Sequence, residues 1–90
     1  MIIIQKWEYL FVSFTSGEHG WKPSYINGEE IEYGSDLPSI YDFSNLRGEE
    51  GWELVSYEPI VESKSLNLNF ETKYINILQS IRTVFKRPKE

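Results

Sequence analysis

The sequence predicts an α+β fold: an antiparallel β-sheet of about four to five strands with one α-helix packed on one face. Three observations lead there. Residues 2–14, 52–61 and 75–85 are long stretches rich in β-branched and aromatic residues, free of glycine and with Pro59 as their one proline. One stretch alone, residues 34–51, spaces its apolar residues at helical intervals between a capping residue and a glycine. Asn27-Gly28 is a strong short hairpin signal, because both central positions of its turn need a positive φ, and it makes the neighbouring pairing antiparallel.

The elements follow in order. "IIIQKWEYLFVSF" reads as a first long strand, which "TSGEHG" breaks with two glycines in a polar cluster. A short hairpin follows, with arms near Ser24–Ile26 and Glu29–Tyr33, and Pro23 confines its first arm to an edge. In "GSDLPSIYDFSNLRGEEG", Asp36 or Ser39 is the N-cap and Pro38 suits the first turn. Ile40, Phe43 and Leu46 form the buried stripe of a helix of about three turns. Gly48 is expected to end it in the left-handed region, and Gly51 to make the bend into the next strand, with Trp52 entering the core under the helix. "WELVSYEPIV" is the second strand. "SLNLNF" alternates strictly, so Leu66, Leu68 and Phe70 share one side of a half-buried strand or an apolar flap. "INILQSIRTVF" is the last long strand, and Pro88 stops its pairing.

Length and charge restrict the function. Ninety residues suit a single domain, 1–90, with a small core in which each large ring matters. The net charge of −5 argues against nucleic acid as a partner, since phosphate neutralisation needs clustered cations. Lys86, Arg87 and Lys89 form only a short basic tail, and Arg87 is expected to pair with a glutamate across the sheet. With no cysteine, thiolate catalysis and Cys-based zinc sites are excluded, and a cytoplasmic setting is expected. Ile2-Ile3-Ile4 is too short for a membrane span, so no membrane partner is expected.

The constellations that could carry chemistry are sparse. A phosphate loop leads from a strand into a helix N-terminus. "GEEG" has the reverse order, and Glu49 and Glu50 would repel an anion. His19 is the only histidine; with Glu18 it supplies too few ligands for a closed metal site, so no metal or cofactor is expected. No G-x-S-x-G elbow is present. Trp7, Tyr9, Phe11, Tyr57 and Phe85 fall on strands, where aromatic residues either pack a core or stack on bases, but the basic groove that should accompany stacking is missing.

Trp7-Glu8-Tyr9, then Gly48 and Gly51-Trp52-Glu53-Leu54-Val55, then Phe85-Lys86-Arg87-Pro88 make the pattern W-E-Y … G-x-x-G-W-E-L-V … F-K-R-P. In this the chain resembles a bacterial and phage family of small domains of unknown function. The resemblance spans about a third of the chain and implies a compact strand–helix–strand–strand core without implying an activity. Two insertions relative to that core lie near residues 17–35 and 60–74, and these are where a special function would reside.

The strand parities add a physical demand. Trp7, Tyr9 and Phe11 share one face of the first strand, and Leu10, Val12 and Phe14 the other; the later strands are also apolar on both sides. One short helix covers one face, here expected to be that of Trp7, Trp52 and Phe85. The second face is then closed either by the insertions, through Leu66, Leu68 and Phe70, or by another copy of the chain. The resulting expectation is a non-enzymatic binding or interaction module acting as a homo-oligomer, with a dimer favoured, that sequesters a small-molecule ligand or a partner protein. Trp21, Tyr25, Tyr33, Tyr41 and Tyr74 are its candidate ligand-binding residues, since Trp and Tyr suit wet binding sites. The alternative is a small enzyme with a Glu/His site in the 18–33 insertion, drawn from Glu18, His19, Glu29, Glu30 and Glu32.

Overall fold

The first strand, β1 (Trp7–Gly17), lies at the centre of a five-stranded antiparallel sheet. The computed structural model describes residues 4–68 and 71–90, and within them all side chains except those of Lys64, Leu66, Leu68, Glu71 and 73–76. The remaining elements are β2 (Gly20–Ile26), β3 (Glu29–Glu30), α1 (Ile40–Glu49), β4 (Glu53–Leu68) and β5 (Glu71–Pro88). Across the sheet the order is β3-β2-β1-β5-β4. Because β3 and β4 are opposite edges, α1, which joins them, must cross one face of the sheet. That connection gives the sheet its single lid.

Two tight turns set the register on the β2 side. "TSGEHG" is a two-residue turn at Glu18-His19, with Gly17 opposite Gly20, so β1 runs past the predicted break at Thr15. Here Gly17 permits a close approach: a Cβ on it would lie 2.6 Å from the Tyr33 ring. The Tyr33 hydroxyl accepts from the His19 backbone N–H (2.8 Å) and donates to the Gly20 carbonyl (3.1 Å), fastening the turn. At the second turn Asn27 and Gly28 have φ of 51° and 83°, as the hairpin dipeptide requires. Asn27 continues the ladder: its side-chain Oδ1 accepts from the Phe11 N–H, and its backbone N–H donates to the Phe11 carbonyl.

The helix departs from expectation in three ways. Pro38 precedes the helix instead of opening it, because of the two expected N-caps it is Ser39 that serves, its side chain accepting from Asp42 N–H. Gly48 lies within the last turn, and Gly51, at φ 89°, is the left-handed residue. Trp52 N–H donates to the Arg47 carbonyl and Gly51 N–H to the Gly48 carbonyl, which is the Schellman pattern with its glycine at C′. Finally, Leu46 is exposed; of the predicted stripe Phe43 is buried and Ile40 half-buried.

The core forms where α1 meets the sheet. Leu10, Val12 and Phe14 of β1, Ile81 and Phe85 of β5, and Phe43 of α1 make one buried cluster, with Trp21, Ile26, Ile40 and Trp52 packed around it. The Phe43 ring stands edge-on to Phe14, with centroids 5.5 Å apart. Thr83 is buried among them, and its hydroxyl donates to the Val12 carbonyl (2.9 Å).

The helix therefore covers the Leu10–Val12–Phe14 side, not the expected Trp7 side. Cross-strand register explains the difference. Leu10 sits opposite Phe85 and Phe14 opposite Ile81, while Trp7 faces Pro88 and Tyr9 faces Lys86. Phe85 therefore shares its face with Leu10, and Trp7 is on the other one. A bulge at Val55 then shifts the parity of β4, so that Leu54 and Tyr57 both lie on the helix side.

The three strands expected over 52–85 are two. β4 and β5 pair without interruption in sequence order out to Leu68 opposite Glu71, apart from the bulges near Val55 and Gln79. β1 pairs with β5 only as far as Thr15 opposite Ser80. Beyond that point β4 and β5 continue as a two-stranded ribbon, and the molecule measures 71 × 32 × 20 Å. Residues 60–68 and 71–74 of the expected insertion thus prolong the sheet. The expected cover from Leu66, Leu68 and Phe70 lies outside the described side chains.

Candidate functional site

The candidate site is the face of the sheet that α1 leaves open. Its central row is Trp7, Tyr9 and Phe11 on β1, with Tyr25 beside it on β2; all four are exposed, Tyr9 at 51% and Phe11 at 55%. The Tyr9 and Phe11 rings lie 6.5 Å apart, tilted by 33°. The next row, on β5, is Arg82, Val84 and Lys86, which stand opposite Ser13, Phe11 and Tyr9. The Lys86 ammonium sits over the Trp7 ring, 4.4 Å from its centroid. Such a cation–π contact is worth roughly 0.5–1 kcal/mol at an exposed site. On β4, Glu53 stands opposite Lys86 and Glu58 opposite Arg82. From β1 outward the face thus carries an aromatic row, a cationic row and an acidic row. A shallow hollow of about 290 Å³ lies between them, against Phe11, Tyr25, Ser56, Glu58, Arg82 and Val84.

The opposite face has its own anchor. The Arg87 guanidinium pairs with Glu8, which is opposite it in register, donates to the Glu50 carbonyl (3.1 Å) and lies 4.2 Å from the Trp52 ring centroid. The pairing with a cross-sheet glutamate is the expected one. This cluster ties the start of β1 and the end of β5 to the end of the helix.

The structure scatters four of the five candidate ligand-binding residues. Trp21 packs against the core on the helix side, whereas Tyr25 is on the open face and contributes to the hollow there. Tyr33 is committed to the β1–β2 turn and stacks on His19, with 6.0 Å between ring centroids. Tyr41 projects from the helix at 79% exposure, beside a groove of about 250 Å³ with Ile40, Leu54 and Tyr57. The Tyr74 side chain lies outside those described. Trp21, Tyr25, Tyr33 and Tyr41 therefore do not line a common pocket.

The residues weighed for catalysis are likewise dispersed. His19 Nε2 is 3.3 Å from Glu18 Oε1 at the exposed β1–β2 turn, while Glu29 and Glu30 are on β3. Among the described residues no group of three or more His, Cys, Asp or Glu side chains is placed to hold a metal ion. Glu49 and Glu50 are exposed at the helix end, with Glu50 paired to Arg47 at 2.8 Å. No described helix is long and apolar enough to cross a membrane.

No family model matches this sequence, and neither a curated protein nor a solved structure matches the chain. The open face must be read from its own chemistry. Sequence reasoning singled out its aromatic residues but not its cationic row, because Arg82 and Lys86 join Tyr9 and Phe11 only through the β1–β5 register. One signal was present: Arg82, Val84 and Lys86 alternate with Ile81, Thr83 and Phe85.

Proposed function

We propose that this protein is a non-enzymatic interaction module that works as a homo-oligomer, associating through the open face of its sheet. One observation carries the proposal: β1 presents large apolar side chains on both faces of the sheet, and α1 covers only one of them. Trp7, Tyr9, Phe11 and Tyr25 stand in water on a rigid, strand-built surface. Contiguous apolar patches of several hundred Å² on small soluble proteins commonly mark association surfaces. Trp and Tyr are also the residue types enriched at such surfaces.

Sedimentation equilibrium over a wide concentration range tests the proposal. The expected result is a mass that is a multiple of the 10.6 kDa chain at micromolar concentration, falling towards the chain mass on dilution. A single-chain mass at every concentration overturns it.

A further inference from the structure

We infer that the partner on the open face is a second copy of this chain, laid face to face about a two-fold axis that runs along the strands between β1 and β5. The inference rests on the preceding proposal and adds the geometry.

The edges of the sheet are guarded against pairing with another chain. On β2, Pro23 removes a backbone donor and Ser24 is an extra residue that breaks the register. On β4, Pro59 removes a donor, Val55 is bulged, and Glu53, Glu58 and Glu62 place like charges along the strand. Prolines, bulges and charges are the devices that prevent edge-to-edge addition. Alongside β1 both edges are thus blunted, and the surface left there for association is the face.

The face is self-complementary about one axis. A two-fold interface requires that where residue i meets residue j, j also meets i. The aromatic row of β1 and the cationic row of β5 are adjacent, so an axis between them lays each over its counterpart in the other copy. Tyr9 of one copy then lies over Lys86 of the second, and Phe11 over Val84, because these residues share register positions. Lys86 is already seated over an aromatic ring within its own chain. An axis along β1 would instead lay β3 of one copy over β4 of the other, setting Glu30 against Glu58, which share a level on this face.

The area also suffices. β1 and β5 pair over nine positions. At ~3.4 Å per residue and ~4.8 Å per strand, these nine positions on β1 and β5, with the seven that β4 and the four that β2 add beside them, make a patch on the order of 500 Å² per copy. Two copies bury on the order of 1,000 Å², at the lower bound of specific interfaces.

A charge exchange tests the geometry. Tyr9→Lys and Lys86→Glu are each made as single variants, and retained folding is checked by circular dichroism. Each variant alone is expected to weaken the dimer at least tenfold. An equimolar mixture is expected to form a heterodimer, because the ammonium introduced in one copy meets the carboxylate introduced in the other. Hydrogen exchange on wild type should show dimer-dependent protection confined to strand segments of the open face. A dimer that both variants leave intact, a mixture that fails to reassociate, or protection along the β4 edge overturns this geometry while the homo-oligomer stands. An open-ended polymer also overturns it. A wild-type protein that is always a single chain overturns the homo-oligomer itself.

Discussion

Leu10, Val12 and Phe14 share a strand with Trp7, Tyr9 and Phe11, and the two sets differ in parity more than in hydrophobicity. The first set is buried and the second stands in water. What separates them is the route of the chain. β3 and β4 occupy opposite edges, so the segment joining them must pass over one face, and its ten-residue helix covers that face alone. Burial here is decided by the connection between strands. Composition supplied apolar residues to both sides, and topology chose which of them became a core.

Substitutions on the two faces should separate core from surface. The largest effect is expected from Phe14→Ala. Phe14 is 0% exposed and packs edge-on against Phe43, so its loss leaves a cavity under the helix. Destabilisation of ~3–5 kcal/mol is expected, measured by urea unfolding. Phe11→Ala, three residues away on the open face, should change the stability of the isolated chain by under ~1 kcal/mol while weakening self-association. Equal destabilisation by the two substitutions would mean that both faces are equally buried.

An intermediate effect is expected where the lid is fastened. Gly51→Ala forces a side chain into φ 89°, and although no atom lies within 4 Å, the backbone conformation alone should cost ~1–2 kcal/mol. Gly48→Ala, three residues earlier, should instead stabilise by ~0.5–1 kcal/mol, since Gly48 is helical and a methyl group there meets open space. Thermal unfolding of the pair checks this, with opposite signs expected. Arg87→Ala should cost about 1 kcal/mol in the same assay, because its ion pair with Glu8 is partly exposed and mostly screened. The contact with Trp52 adds only a modest contribution.

The smallest effect on folding is expected at Lys86→Gln, which removes the cation over Trp7 and the charge opposite Glu53. A change of ~0.5 kcal/mol or less in unfolding free energy is expected. Indole fluorescence should nevertheless respond, since the ammonium lies against the ring.

The fold class and the Asn27-Gly28 turn were legible because they depend on local chemistry, whereas the second hairpin arm, expected to reach Tyr33, pairs only over Glu29–Glu30. Asn27-Gly28 needs no distant partner to specify its turn, and Ser39 caps with its own side chain. Face assignment was not legible, because it depends on pairing between residues some seventy positions apart, such as Leu10 with Phe85. The bulge at Val55 has no marker either, as nothing in "ELVSY" distinguishes a bulged valine from a paired one. The cap was misplaced by three residues because Gly48 and Gly51 are equally able to adopt positive φ, and the competing helical hydrogen bonds decide between them. The candidate site was half legible. Its aromatic residues were identified as such, whereas the cationic row and the open side became apparent only with the register.

The ribbon beyond β1 has a practical consequence. A globular chain of this length has a radius of gyration of ~12 Å, and this one has 17.6 Å. Viscous drag follows shape as well as mass, so a lone chain would leave a sizing column early, at the volume of a heavier sphere. Counting its copies calls for a method that weighs particles and is indifferent to their outline.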